Sequence, residues 1–494
     1  MLAIRGARVF NPRARQAPRQ DLFVKDGRIA AIVDPGTPAA EGTEEVEASG
    51  RILIPGLINS HTHSSGNVTR SWMDRWSLEL QLSGGPAVRG SQTLDDKYVS
   101  ALLGACEMIS KGCTACYDLF YEFPAPTQDG MEAVARAYAD AGLRAVLSPM
   151  LADQTFYQAV PGLIDALPAE MRDRFRTARP ASWQQVVGTL TATARDWSHD
   201  RDQVRFAIAP TIPMHCTDEY LLNAAAFARD LDIGFHTHLA ESKVQAVYAQ
   251  SRYGMSITAH LQKLGILGPN FTAAHCVWID DDDVARLADS GSVVSHNPGS
   301  NMRLGCGIAA TRRMLERNLR VGVGTDSRLC SDNLNMFEAM RLAGFASRVQ
   351  GDAPLRWLRA EEAFEMATVG SAHALGMGDR IGALEPGYYA DIVFLDGDNL
   401  NYVPLNDVTN QIVYAEDATA VESVMINGRF VYRDRRFTTV DIAALRTRAQ
   451  ATADRLRDET AEARALSDRL EPMVASFCGG LANCPHHVHA FVPG

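Results

Sequence analysis

The stretch Pro55-Gly56-Leu57-Ile58-Asn59-Ser60-His61-Thr62-His63 decides how the rest of the chain is read. On a strand, residues two apart point to the same face, so His61 and His63 aim two imidazoles into one space. Two neutral imidazoles placed that way suit a borderline divalent ion such as zinc or ferrous iron. By itself a His-x-His leaves the metal and structural readings both open.

Working outward, four later apolar runs end in the same manner. They read His236-Thr237-His238-Leu239-Ala240-Glu241, Ala273-Ala274-His275-Cys276, Ser295-His296-Asn297-Pro298 and Gly322-Val323-Gly324-Thr325-Asp326-Ser327. Any one of these histidines, taken singly, reads best as a satisfied core or surface residue. Five strand ends of one character argue for a shared site. The middle of the chain alternates β-branched runs with longer helical patterns, as parallel βα units do. Eight candidate strands stand out: Ile52–Ile58, Thr114–Leu119, Arg144–Ser148, Val204–Ala209, Gly234–Leu239, Phe271–His275, Val293–His296 and Val321–Gly324. Eight such units predict an α/β fold, a (β/α)8 TIM barrel with its reactive groups at the C-terminal ends of the strands.

Short strand-like segments bracket this middle. Residues 1–50 carry three, and near the end Ala390–Leu395 and Val421–Val431 alternate apolar and polar residues around the hairpin signal Asn427-Gly428. The expected organisation is a small composite β-sandwich from 1–55 and 380–437, a catalytic barrel over 56–379, and a C-terminal helix and tail over 438–494. The Ala/Arg/Glu-rich stretch after Asp441 reads as one long, mostly exposed helix to about Leu470. The tail residues Cys478, Cys484, His486, His487 and His489 are of metal-ligating types. Their spacing matches no metal template, so an ordered structural or interface tail is expected.

The chain has 494 residues, 46% of them hydrophobic and 22% charged, with a formal charge of −11. A net negative chain without a dense basic run argues against nucleic-acid and anionic-membrane partners and for a small substrate. The N-terminus lacks a signal-peptide core, and no 18 consecutive apolar residues occur, so the cytoplasm is the expected location. Nine scattered cysteines read as reduced thiols, with Cys113 and Cys116 a structural pair on an apolar strand.

With those motifs in hand, the sequence resembles the amidohydrolase superfamily, in particular the branch of cytosine, guanine and adenosyl-homocysteine deaminases and s-triazine hydrolases. The resemblance runs from about Met1 to Arg436. It implies one divalent metal ion, zinc preferred and ferrous iron the alternative, held by His61, His63, His238 and Asp326. It further implies Glu241 as general acid/base, His275 in contact with the hydrolytic water or developing oxyanion, and a homodimer or larger assembly. The chemistry agrees with that allocation, because a metal ion brings the pKa of water from 15.7 to about 7 and the resulting hydroxide needs carboxylates to handle its protons. His236 projects to the same side as His238 and is the competing ligand; the His-x-x-Glu spacing used by the family favours His238. Two-metal relatives bridge their ions with a carboxylated lysine on the fourth strand, and Val204–Pro210 contains no lysine, so one metal is expected.

The resulting expectation is a hydrolytic deaminase of an amino-substituted N-heterocycle. The alternatives are a chlorohydrolase or urea/amide hydrolase on the same scaffold and a catalytically silent scaffold homologue. The absence of a glutamine close after His63 argues against guanine, and Pro210–Thr217 departs from the His-Gly-Pro-Tyr-Thr-like turn of the nucleoside deaminases. Arg70, Trp72 and Trp76 either line the pocket or pack its loop. Ser300-Asn301 is expected at the pocket floor. His199, His215, His260 and His373 take ordinary roles, with His215 the first to test.

Overall fold

The computed structural model describes residues 1–483. Cys484, His486, His487 and His489 of the expected tail lie outside the described residues. Five strands open the chain: β1 (Leu2–Val9), β2 (Arg19–Lys25), β3 (Arg28–Val33), β4 (Glu44–Glu47) and β5 (Arg51–Pro55). The middle carries β6 (Leu57–Thr62), β7 (Cys113–Phe120), β8 (Arg144–Leu151), β9 (Val204–Phe206), β10 (Ala209–Pro210), β11 (Phe235–Leu239), β12 (Phe271–His275), β13 (Val293–His296) and β14 (Arg320–Val323). β15 (Ile392–Asp396), β16 (Val421–Ile426), β17 (Arg429–Arg433) and β18 (Arg436–Phe437) follow.

The two ends of the chain do meet. They form one nine-stranded sheet in the order β18-β17-β16-β15-β5-β1-β2-β3, with β4 paired to β1. β5 and β15 run antiparallel, with Leu53 opposite Phe394, which ties the N-terminal segment to the C-terminal one. The middle strands pair in parallel as two sheets, β10-β8-β7-β6 with β9 on β8, and β11-β12-β13-β14. The sheets touch at both seams. Ile208 donates to the Gly234 carbonyl and His236 to that of Ile208, while Asp326 donates to the His61 carbonyl at 2.9 Å.

The expected first strand, Ile52–Ile58, is two strands serving two sheets. Gly56 donates to the Asp391 carbonyl and Leu57 to the Gly112 carbonyl, so the chain changes partners at this residue. A Cβ on Gly56 would lie 1.9 Å from Thr114 Oγ1, so only glycine fits where the two sheets abut. The expected fourth strand likewise divides into β9 and β10 around Ala207 and Ile208.

Two helices frame the site. α1 (Leu78–Arg89) starts at Ser77, whose Oγ accepts from Leu80 N–H, and stops at Gly90 with φ +61°. α2 (Leu94–Ser110) starts at Thr93 with a capping box completed by Asp96. Beyond Asp441 the expected single exposed helix is two, Ile442–Glu459 and Ala461–Ala482, broken at Thr460. Leu445 and Leu456 of the first, and Leu470, Val474 and Cys478 of the second, are buried. The first helix packs on α2 and the second on α1. Their charges face outward because the apolar residues recur at helical spacing on the inner side. The eight described cysteines are all buried and free. No described helix is long and apolar enough to cross a membrane.

Candidate metal centre and active site

His61 lies on β6 and His63 directly follows it, His238 stands on β11, His275 ends β12 and Asp326 follows β14, all at the C-terminal ends of parallel strands. Ligand atoms of His61, His63 and His238 lie within 4.8 Å of one another, as do those of His61, His275 and Asp326. His63 Nδ1–H donates to the Leu119 carbonyl at 2.8 Å, and His238 Nδ1–H to that of Thr211 at 2.5 Å. Each bond selects the tautomer whose Nε2 carries a lone pair. Those two Nε2 atoms face each other at 3.2 Å. Bare lone pairs so placed repel unless a cation lies between them, and two nitrogens about 2.0–2.1 Å from a tetrahedral zinc would be about 3.3 Å apart. Both ring nitrogens of His61 are buried without a hydrogen-bond partner. An unpartnered buried polar atom costs about 1–3 kcal/mol, so the donor set is one that a divalent cation relieves. Burial, with His63 and His275 alongside, pulls His238 down to about 3 and so keeps it the neutral imidazole a ligand must be.

His236 also points inward but lies deeper. Its ring stands edge-on to Tyr117, 4.5 Å between centroids, and it belongs to neither ligand group.

Asp326 turns Oδ1 toward His63 Nε2 at 3.2 Å and His61 Nε2 at 3.8 Å. Ser300 Oγ–H donates to its Oδ2 at 2.5 Å and Ser327 N–H to its Oδ1 at 2.6 Å. Burial opposes its charge, but positive charge on His63 and His275, in whose place a bound cation would stand, together with the Ser300 hydrogen bond prevails and holds the carboxyl below the usual carboxylate range. Glu241 is the opposite case. It is 1% exposed, its Oε2 has no hydrogen-bond partner, and burial, then the charges of Asp326 and Glu79, push its pKa well above the ordinary value. Neighbouring carboxylates driven apart in this way are suited to separate acid and base roles. His275 Nδ1–H donates to Asn301 Oδ1 at 2.8 Å, leaving Nε2 3.6 Å from Glu241 Oε2 and 4.0 Å from Asp326 Oδ2. Ser300 and Asn301 therefore hold Asp326 and His275 in place.

The backbone is strained at these strand ends. Ala240, His275, Cys276 and Asp326 have φ of +46°, +73°, +50° and +62°, a conformation worth about 1–3 kcal/mol each in non-glycine residues and concentrated at functional sites. Chains β6 and β14 are stitched together above it. Asn59 Nδ2 donates to Thr325 Oγ1 at 2.7 Å, and Thr325 N–H to Asn59 Oδ1 at 3.0 Å.

Residues 52–431 match the Amidohydrolase family. The chain belongs to the amidohydrolase family. This amidohydrolase is 31% identical over 449 residues to a 5'-deoxyadenosine deaminase of Methanothermobacter thermautotrophicus, covering 89% of this chain and 95% of the relative. It is 33% identical over 470 residues to a 5-methylthioadenosine/S-adenosylhomocysteine deaminase of Desulforudis audaxviator, covering 92% and 99%. Among solved structures, a zinc-bound adenosine deaminase from Xanthomonas campestris superposes with TM-score 0.81 at 26% identity over 92% of this chain and 98% of that one. A zinc complex of atrazine chlorohydrolase from Arthrobacter aurescens superposes with TM-score 0.81 at 25% identity, over 92% and 100%.

The cavity beside the metal groups, about 60 Å³, is lined by His63, His238, Glu241 and Asp326 and on one side by the α1 face Leu78, Gln81, Leu82 and Arg89. Gln81 stands eighteen residues after His63, too far for the sequence to associate the two, yet α1 brings it to the cavity with its Oε1 unpartnered. The signal available in the sequence was helical spacing alone, residues 78, 81, 82 and 89 sharing a face. Arg70 is exposed and outside this cavity. Trp72 lies between Arg457 and Arg464, and Trp76 Nε1–H donates to Glu471 Oε2 at 3.1 Å, so both tryptophans pack the loop onto the C-terminal helices. His199 pairs with Glu132 and His260 with Asp218, while His373 is half-buried.

Proposed function

We propose that this amidohydrolase is a single-metal hydrolytic deaminase of an amino-substituted N-heterocycle, with His61, His63, His238 and Asp326 as ligands and Glu241 and His275 at the reacting atoms. The observation that carries this reading is geometric: the ligand atoms of His61, His63 and His238 lie within 4.8 Å of one another, Asp326 Oδ1 is 3.2 Å from His63 Nε2, and Glu241 is buried nearby with one oxygen unpartnered. The names and zinc contents of the relatives support the deaminase class and zinc, with ferrous iron the alternative. The lack of a lysine in β9 and β10 supports one ion.

When bound, the ion supplies positive charge that acidifies water and stabilises developing negative charge. Glu241 is in the form needed to protonate a ring nitrogen and make the adjacent amino-bearing carbon electrophilic. Asp326, held ionised, takes up a water proton. The departing amine then needs a proton, and the two carboxyls hold one between them for it. His275, its Nδ1–H committed to Asn301, presents a lone pair at Nε2 and so orients a water proton; a donor role at the oxyanion would require it to be protonated. A chlorohydrolase would use the same groups, and the atrazine chlorohydrolase likeness keeps that as the second reading.

The two parallel sheets are read as halves of a closed (β/α)8 barrel, supported by backbone hydrogen bonds at both seams, and the nine-stranded sheet as a sandwich folded on itself. The domain division follows: 1–55 with 380–437, 56–379, and 438–494. A homo-oligomer is what the family resemblance implies, while the described cysteines, buried and unpaired, support a reducing, cytoplasmic location and the negative charge a small-molecule substrate.

Ammonia release by zinc- or iron-loaded protein from a panel of aminopurines, aminopteridines and aminotriazines tests the reading. Turnover of at least one ring is expected. Chloride release from chlorotriazines with the amino panel inert would overturn it, and so would a chain that takes up neither metal.

A further inference from the structure

The inner cavity does not end at the metal groups. Leu82, Arg89, Tyr121, Met150 and Thr211 also line a second cavity of about 290 Å³ whose other walls are mainly apolar, Phe156 and Val186 among them. Arg89 stands where the two meet. Its guanidinium lies over the Tyr121 ring, 4.5 Å from the centroid, and its Nε is sealed from solvent without a hydrogen-bond partner. No ion pair to Arg89 occurs among the described residues, and Glu122 of the outer cavity is engaged by Lys97 and Thr127. Across that cavity His215 is buried with its Nε2 also unpartnered, and burial lowers it to about 4, leaving it neutral. A guanidinium cannot shed its charge, and an aromatic face compensates a half-buried cation only in part. Its planar fork matches a carboxylate oxygen pair. The protein thus holds a permanent cation within reach of a substrate and leaves its counter-charge to be supplied from outside.

We infer that Arg89 is the specificity residue of this site and takes an anionic oxygen on the substrate, so that the preferred ligand is an amino-heterocycle bearing a carboxylate rather than a neutral one. This rests on the proposed deaminase reading for the ring, but not for the anion. The two are separable by measuring binding and turnover independently.

Zinc-loaded protein is titrated with pterin-6-carboxylate and with unsubstituted pterin, following ligand fluorescence. The acid is expected to bind at least about tenfold more tightly. Arg89→Met should abolish the preference of the acid over the neutral parent, and Arg89→Lys should retain part of it. Melting curves of both variants report folding. Equal affinities in the unaltered protein, binding of neither ligand, or a preference that survives Arg89→Met would overturn the inference; the last would place the carboxylate on the metal instead. Ammonia is assayed in the same samples. Arg89-dependent binding with no ammonia from any ring would leave this inference standing and overturn the deaminase reading alone.

Discussion

At the scale of single residues, two carboxyls are pushed in opposite directions by what surrounds them. Asp326 receives hydrogen bonds from Ser300 and Ser327 and faces two imidazoles; Glu241 is buried with one oxygen unpartnered. Glu241→Gln keeps the shape and removes the titrating proton. General acid–base groups contribute about 10²–10⁴-fold, so kcat on whichever ring proves to be the substrate should fall by that factor while zinc content by elemental analysis stays at one per chain. A variant that loses the metal as well would make Glu241 a ligand and contradict the proposed role. The sequence brought His61, His63, His238, Glu241, His275 and Asp326 to notice because each stands at or after the end of a recognisable strand, and the family resemblance allotted their roles. It offered no such cue for Gln81 or Arg89, whose chain neighbours have ordinary helical character.

At the scale of elements, the site depends on how closely β14 approaches β6. A Cβ on Gly324 would fall 2.4 Å from Asn297 Oδ1 and 2.9 Å from His61 N. Gly324→Ala should force the two strand ends apart, costing about 1–3 kcal/mol as overpacking does. The denaturation midpoint should drop accordingly, and zinc affinity should fall with it because His61 and Asp326 sit on either side of the displaced contact. Unchanged zinc affinity would show that the ligands are held independently of this seam. Strand existence was legible from apolar runs, but the division of Ile52–Ile58 at Gly56 was not. A continuous apolar run reports burial, not which sheet supplies the hydrogen-bond partner.

At the scale of the whole molecule, the proposed ligands come from segments as far apart as residues 61 and 326, so an ion bound by them would crosslink both parallel sheets. Binding to the folded state alone stabilises by about 4 kcal/mol when free ion exceeds Kd a thousandfold. Stripping the metal with a chelator should therefore lower the melting temperature by several degrees, and re-adding zinc should restore it; an unmoved melting curve would mean the four groups do not share an ion. The C-terminal helices belong to this scale too, since Ala461–Ala482 backs the helix that forms the cavity wall. The sequence by itself determined the βα alternation, the composite outer sheet and the residue types that meet at the candidate metal site, because strand periodicity and strand-end chemistry are local. Only the tertiary structure decided which face of α1 lines the cavity, that the tryptophans pack outward, and that one arginine is left without a counter-charge. Those are matters of which segments touch, and distances through space between segments hundreds of residues apart leave no periodic trace along the chain.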